Sequence, residues 1–110
     1  MTQITISDRS YSMEYNQLTA IGFEKMTGKP AYDLQQFSTG MTEPILTLGY
    51  CMLLANNQDV PDFEDFLRLL NTPQAAERFI TATSEELNRY YNLGKLPTPT
   101  AKKGKIQKNV

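Results

Sequence analysis

The chain has 110 residues, no histidine and one cysteine, Cys51. Without histidine there is no His-containing zinc site and no Ser-His or Cys-His nucleophile system. With one cysteine there is no internal disulfide framework. No apolar run reaches the roughly 18 residues that a membrane span needs. The stretch Met1 to Asp8 lacks the basic segment followed by an apolar one that marks a secretory leader. The net charge is only −1, which argues against a dedicated nucleic-acid binder at the level of the whole chain. A reduced, cytosolic setting is therefore expected, and a binding protein is favoured over an enzyme. No residue stands out as catalytic, cofactor-binding or metal-ligating.

What is present is one modest core. Hydrophobic residues make up 40% and charged residues 21%, which suits a single small domain. The charge is unevenly placed. Residues 1–93 hold six basic and twelve acidic side chains, a formal −6. From Gly94 onward there are five lysines (Lys95, Lys102, Lys103, Lys105 and Lys108) and no acid, a formal +5. That stretch also carries Gly94, Pro97, Pro99 and Gly104 and few large apolar groups. Too little apolar surface is available there to offset the entropy of ordering it. The expected division is a folded unit over 1–93 and a flexible, Lys-rich tail over 94–110. Deleting residues 97–110 should leave the melting temperature almost unchanged, because a flexible end makes few contacts. A large drop in a thermal melt would show that the tail docks on the acidic body.

Period-two alternation over Ile4–Ile6 and again over Tyr11–Tyr15, with the polar Ser7-Asp8-Arg9-Ser10 between, predicts a hairpin. Ile4 and Ile6 would share a face with Tyr11, Met13 and Tyr15. Asn16 is a good N-cap for a helix over about Gln17 to Thr27, with Leu18, Ile21, Phe23 and Met26 as its apolar positions. Gly28 stands where a left-handed residue ends a helix, and Pro30 follows. A short helical turn is expected within 31–37, then a loop at Ser38-Thr39-Gly40.

The most apolar stretch, Thr42 to Ala55, predicts a helix capped by Thr42 or Glu43 with Pro44 in its first turn. Ile45, Leu46, Leu48, Tyr50, Cys51, Met52, Leu53 and Leu54 nearly encircle it. An all-round apolar helix belongs at the centre of a bundle. Asp62 caps a short helix whose Phe63, Phe66, Leu67 and Leu70 fall at helical spacing. Its acids sit in the first turn, where the helix dipole favours them. Thr72 and Pro73 open the last helix, which runs to about Asn92 and stops by Gly94. Ala76, Phe79, Ile80, Thr83, Leu87, Tyr90 and Tyr91 would form its buried stripe.

Several clusters carry a bland reading better than a chemical one. The acids Glu85-Glu86 and Asp62-Glu64-Asp65 are expected on solvated helix faces. Cys51, between Tyr50 and Met52, reads as a buried structural cysteine, since a reactive thiol needs exposure and positive neighbours. Thr27-Gly28-Lys29-Pro30 lacks the upstream glycine and preceding strand of a phosphate loop. One of Tyr90 and Tyr91 must turn away from the core and leans towards a partner contact. The basic tail is the one feature without a structural role. Its lysines lack the arginine and aromatic interleaving of a sequence-specific reader of nucleic acid.

The order of elements carries a resemblance. A short hairpin (Ile4-Thr-Ile-Ser, then Tyr11 to Tyr15) runs into a helix ending Gly22-Phe-Glu-Lys-Met-Thr-Gly-Lys29. An acidic spacer, an apolar helix and a helix opening Val60-Pro-Asp-Phe-Glu-Asp-Phe-Leu-Arg-Leu-Leu70 follow. This resembles the tail assembly chaperones of long-tailed, siphovirus-like bacteriophages, with Glu24-Lys-Met-Thr-Gly-Lys29 as the matching stretch, and it covers most of residues 3–91. The resemblance implies a non-enzymatic role. Such chaperones coat the tape-measure protein in the infected cell, help tail-tube subunits assemble around it, and are absent from the finished particle. It transfers no partner-binding residues.

The fold class expected is therefore α+β, a mainly helical bundle with an N-terminal β-hairpin and a disordered basic C-terminal tail. The implied partners are the tape-measure and tail-tube proteins, with no membrane and no specific nucleic acid, and with self-association left open. The alternative is a small nucleic-acid-associated or regulatory adaptor acting through the basic tail, whose binding would weaken steeply with salt. Chaperones of this kind are often made in two forms by ribosomal frameshift near the end of the gene. Ala101-Lys102-Lys103 and Lys103-Gly104-Lys105 are compatible with slippery codons, in a segment where an appended domain would leave the folded body undisturbed.

Overall fold

The computed structural model describes residues 2–38 and 42–91. The expected tail, the tail's slippery stretch, the stop at Gly94 and most of the loop at Ser38-Thr39-Gly40 lie outside the described residues. Two strands lead, β1 (Thr2–Ile6) and β2 (Arg9–Met13), followed by α1 (Gln17–Thr27), a 3-10 turn (Leu34–Phe37), α2 (Thr42–Asn56), α3 (Phe63–Leu69) and α4 (Pro73–Tyr91). The α+β architecture, mainly helical with an N-terminal hairpin, is as the sequence predicts.

The hairpin is tighter than the alternation suggests. Its loop is the dipeptide Ser7-Asp8, both residues with positive φ (50° and 68°), the geometry of a type I′ turn. Ile6 consequently faces Arg9, Ile4 faces Tyr11 and Thr2 faces Met13. β2 ends at Met13, so Tyr15 leaves the ladder but is still buried. Arg9 lies over the Tyr11 ring, 5.5 Å from its centroid, and pairs with Asp59 at 3.2 Å.

The helix ends follow local rules. Asn16 Oδ1 accepts from the Thr19 amide at 3.1 Å, and Thr19 Oγ1 accepts from the Asn16 amide in return. Gly28 closes α1 at φ 75°, where any other residue would be strained. Asp62 accepts from the Asp65 amide at 2.9 Å, and Thr72 from the Ala75 amide at 3.1 Å. α2 begins at Thr42 itself, so Thr42 and Glu43 are inside its first turn and neither is the cap.

The central position of α2 holds. Residues 47–53 are all buried, and both α1 and α4 pack on this helix. The ring of burial differs from the ring of hydrophobicity: Thr47 and Gly49 are inside, Leu46 is half-buried and Leu54 is exposed. Gly49 is the closest crossing. A Cβ there would lie 2.3 Å from Thr83 Oγ1 and 2.6 Å from the Phe79 ring, so α4 rests on bare backbone. The aromatic layer extends from there: Phe79 meets Phe66 edge-on at 4.9 Å, and Tyr50 stacks at a tilt on Phe63 and Phe66 at 5.0 and 5.4 Å. On the other side Phe23 packs on Phe37 at 5.4 Å.

Two elements bury different faces from those expected. In α1, Phe23 and Thr19 are inside while Leu18, Ile21 and Met26 are exposed. Gly22 faces α2, with its would-be Cβ 3.7 Å from Cys51 Sγ, and this contact sets the rotation of the helix. In α4, Ala82, Ser84 and Glu86 join Phe79, Thr83 and Leu87 in the core, and Tyr90 is exposed.

Candidate interaction surface

α1 and α2 run antiparallel. Asn56, at the end of α2, donates from Nδ2 to the Glu14 carbonyl just before α1, at 2.8 Å. Gly22 and Cys51 mark where the two helices touch, and Met26 Sδ lies 3.7 Å from Cys51 Sγ. Leu18 is one turn before Gly22 and Leu54 one turn after Cys51. On antiparallel helices these two positions stand at the same level of the seam. Ile21 is the i+3 neighbour of Leu18. Leu18 is 64% exposed, Ile21 48% and Leu54 47%. Three large aliphatic side chains thus share one end of the α1–α2 seam. Covering what remains exposed of one such side chain is worth about 1–2 kcal/mol.

A tyrosine cluster joins α4 to the start of α1. Tyr15 sits 4.6 Å from Tyr90 and 5.6 Å from Tyr91, centroid to centroid. The Tyr15 and Tyr91 hydroxyls are 3.2 Å apart, and Gln17 Nε2 donates to the Tyr90 hydroxyl at 3.2 Å. Burial first, and then the Tyr91 hydrogen bond, hold the Tyr15 phenol well above its ordinary range. As expected, one of the adjacent pair turns outward: Tyr90 is exposed and Tyr91 partly buried.

The acidic clusters divide. Asp62, Glu64 and Asp65 are exposed, and Arg68 pairs with Glu64 and Asp65. Glu86 does not lie on a solvated face as expected: it is 2% exposed and accepts from Thr2 Oγ1 and Arg89. The reason is tertiary. β1 runs over α4 at that point and supplies the hydroxyl, so this carboxylate ties the hairpin to the last helix. No group of three or more metal-ligating side chains occurs among the described residues. Gly28 serves only as the end of α1, and Thr27 Oγ1 bonds back to the Phe23 carbonyl at 2.8 Å.

Cys51 is fully covered, and burial pushes its thiol up to about 11 from 9.0. The folded chain therefore holds this proton more tightly than the unfolded chain. The associated stability is present below pH 9 and is lost as pH rises from 9 towards 11. Burial also raises Tyr50, in the same direction. Urea midpoints should fall between pH 8.5 and 11, and a disulfide reagent should reach Cys51 only as the chain unfolds. Rapid labelling of the native protein would contradict this.

No protein-family profile, curated protein or solved structure matches the chain. Among the described residues, no helix is long and apolar enough to cross a membrane. The exposed end of the α1–α2 seam was hidden in the sequence, because its leucines and isoleucine look like core. The one available signal was Gly22, whose missing side chain marks the face of α1 that approaches a neighbour.

Proposed function

We propose that this chain is a non-enzymatic phage tail assembly chaperone that binds the tape-measure protein and assists assembly of the tail tube, acting in the host cytoplasm and absent from the finished particle. The reading is supported by the run of motifs from the hairpin through Glu24-Lys-Met-Thr-Gly-Lys29 to the Val60–Leu70 segment. The structural observation that carries it is the exposed set Leu18, Ile21 and Leu54 on a body whose formal charge is −6. A long helical rod with uncovered apolar surface aggregates unless that surface is masked. An acidic domain presenting three aliphatic side chains suits a helix with an apolar stripe and basic flanks.

Co-expression tests it. The tape-measure protein should remain soluble and co-purify with this chain. The triple variant Leu18→Glu, Ile21→Glu, Leu54→Glu should fold with a near-normal melting temperature and lose the co-purification, since substitutions at exposed sites usually change stability by no more than about 0.5 kcal/mol each. Equal aggregation of the tape-measure protein with and without the wild-type chain would remove the chaperone reading. Retained binding by a folded triple variant would move the contact elsewhere.

A further inference from the structure

β1 has an open edge. In the ladder Gln3 faces Ser12, and the main chain of Ser12 turns outward to Asn57: its amide donates to Asn57 Oδ1 at 3.1 Å, and Asn57 Nδ2 donates to its carbonyl at 2.9 Å. Gln3 and Ser12 are therefore a non-hydrogen-bonded pair, and by alternation so are Thr5 and Ser10. The amide and carbonyl of Gln3 and Thr5 consequently point away from β2. Asn57 closes part of the outer edge of β2, whereas no backbone–backbone hydrogen bond from another described segment reaches Gln3 or Thr5 of β1.

A groove of 310 Å³ runs beside this edge, between Gln3 and Ile4 on β1 and Arg78, Thr81, Ala82 and Glu85 on α4. Thr81 Oγ1 is covered yet has no hydrogen-bond partner among the described residues. Arg78 and Glu85 are exposed, and neither forms an ion pair among the described residues. They lie two helical turns apart on one face, with Thr81 and Ala82 midway.

We propose that a second copy of this chain closes this edge about a two-fold axis that passes by Ile4 and the Thr81–Ala82 step. The strand register favours this partner. Antiparallel pairing of β1 with its copy, centred on Ile4, sets Gln3 opposite the partner's Thr5 and Thr5 opposite the partner's Gln3. Those are the residues whose bonding groups point outward; a shift of one residue would oppose groups already used within the hairpin. The charges agree independently. The same axis brings Arg78 against the partner's Glu85 and Glu85 against the partner's Arg78, as an isologous interface requires. Thr81, small and partly exposed, lies at the crossing and lets the two α4 helices approach closely. The product is a four-stranded sheet under paired helices, which removes an exposed edge and extends a hairpin too small to be stable alone. This inference does not depend on the chaperone reading.

Sedimentation of the full chain over a concentration series should show a species of twice the chain mass. Thr5→Pro removes an outward amide and leaves the bonds to β2 in place. Arg78→Glu places like charges across the axis twice. Each should weaken dimerisation at least about tenfold, with circular dichroism confirming the fold. The double exchange Arg78→Glu, Glu85→Arg should restore the dimer, which a merely structural defect would not do. A wild-type chain that stays monomeric at about 0.1 mM, well above a micromolar Kd, overturns the proposal. So does a dimer indifferent to all three variants, or one dissolved by Leu18→Glu but untouched by Thr5→Pro and Arg78→Glu.

Discussion

Gly49→Ala is expected to destabilise the chain by roughly 1–3 kcal/mol, and Gly49→Val to prevent native packing, because both overfill the core. The new Cβ would sit 2.3 Å from Thr83 Oγ1 and 2.6 Å from the Phe79 ring. Neither neighbour yields easily. The Thr83 hydroxyl is held 2.9 Å from the Phe79 carbonyl, and the Phe79 ring is pinned edge-on against Phe66. The strain therefore pushes α4 off α2 and disturbs the main packing between helices. Each kcal/mol should lower the melting temperature by about 4–8 °C in a domain of this size. Adding Phe79→Leu to Gly49→Ala should recover part of the loss, since the two sites are in contact and their effects are not additive. A melt of Gly49→Ala at the wild-type temperature would refute the crossing of α2 and α4 described above.

Leu53→Ala should cost about 2–5 kcal/mol, whereas its neighbour Leu54→Ala should change stability by about 0.5 kcal/mol or less. Leu53 has no exposed surface, and Leu54 is 47% exposed. The pair separates a structural reading from a compositional one, because the two residues are chemically identical and adjacent. Urea denaturation of both variants in parallel checks it. Comparable losses would mean that Leu54 is also covered, and the candidate surface at the end of the α1–α2 seam would lose one of its three members. A neutral Leu53→Ala would displace α2 from the centre of the bundle.

Much of the fold was legible because its signals act over three or four residues. Asn16, Asp62 and Thr72 each accept a hydrogen bond from an amide three positions later, so their role depends on nothing distant. Gly28 tolerates its left-handed conformation wherever the helix goes. The length and strong hydrophobicity of α2 likewise required burial on most sides, whatever its neighbours were. The candidate surface was less legible. Leu18, Ile21 and Met26 are apolar, and composition by itself assigns such residues to a core.

Among the described residues, the sequence by itself determined the order of the elements, the starts of α1, α3 and α4, the end of α1, the hairpin and the central place of α2. Only the tertiary structure decided which face of each outer helix is covered. α1 carries apolar residues on more than one side, so its rotation is set by where it meets another helix. Gly22 against Cys51 makes that choice and leaves Leu18 and Ile21 outside. Glu86 is buried because a strand 84 residues away in the chain lays Thr2 across it, and Gly49 matters because Phe79 and Thr83 land there. Local patterns record the preferences of a segment towards water. Which neighbour replaces the water is settled only when distant segments compete for the same surface.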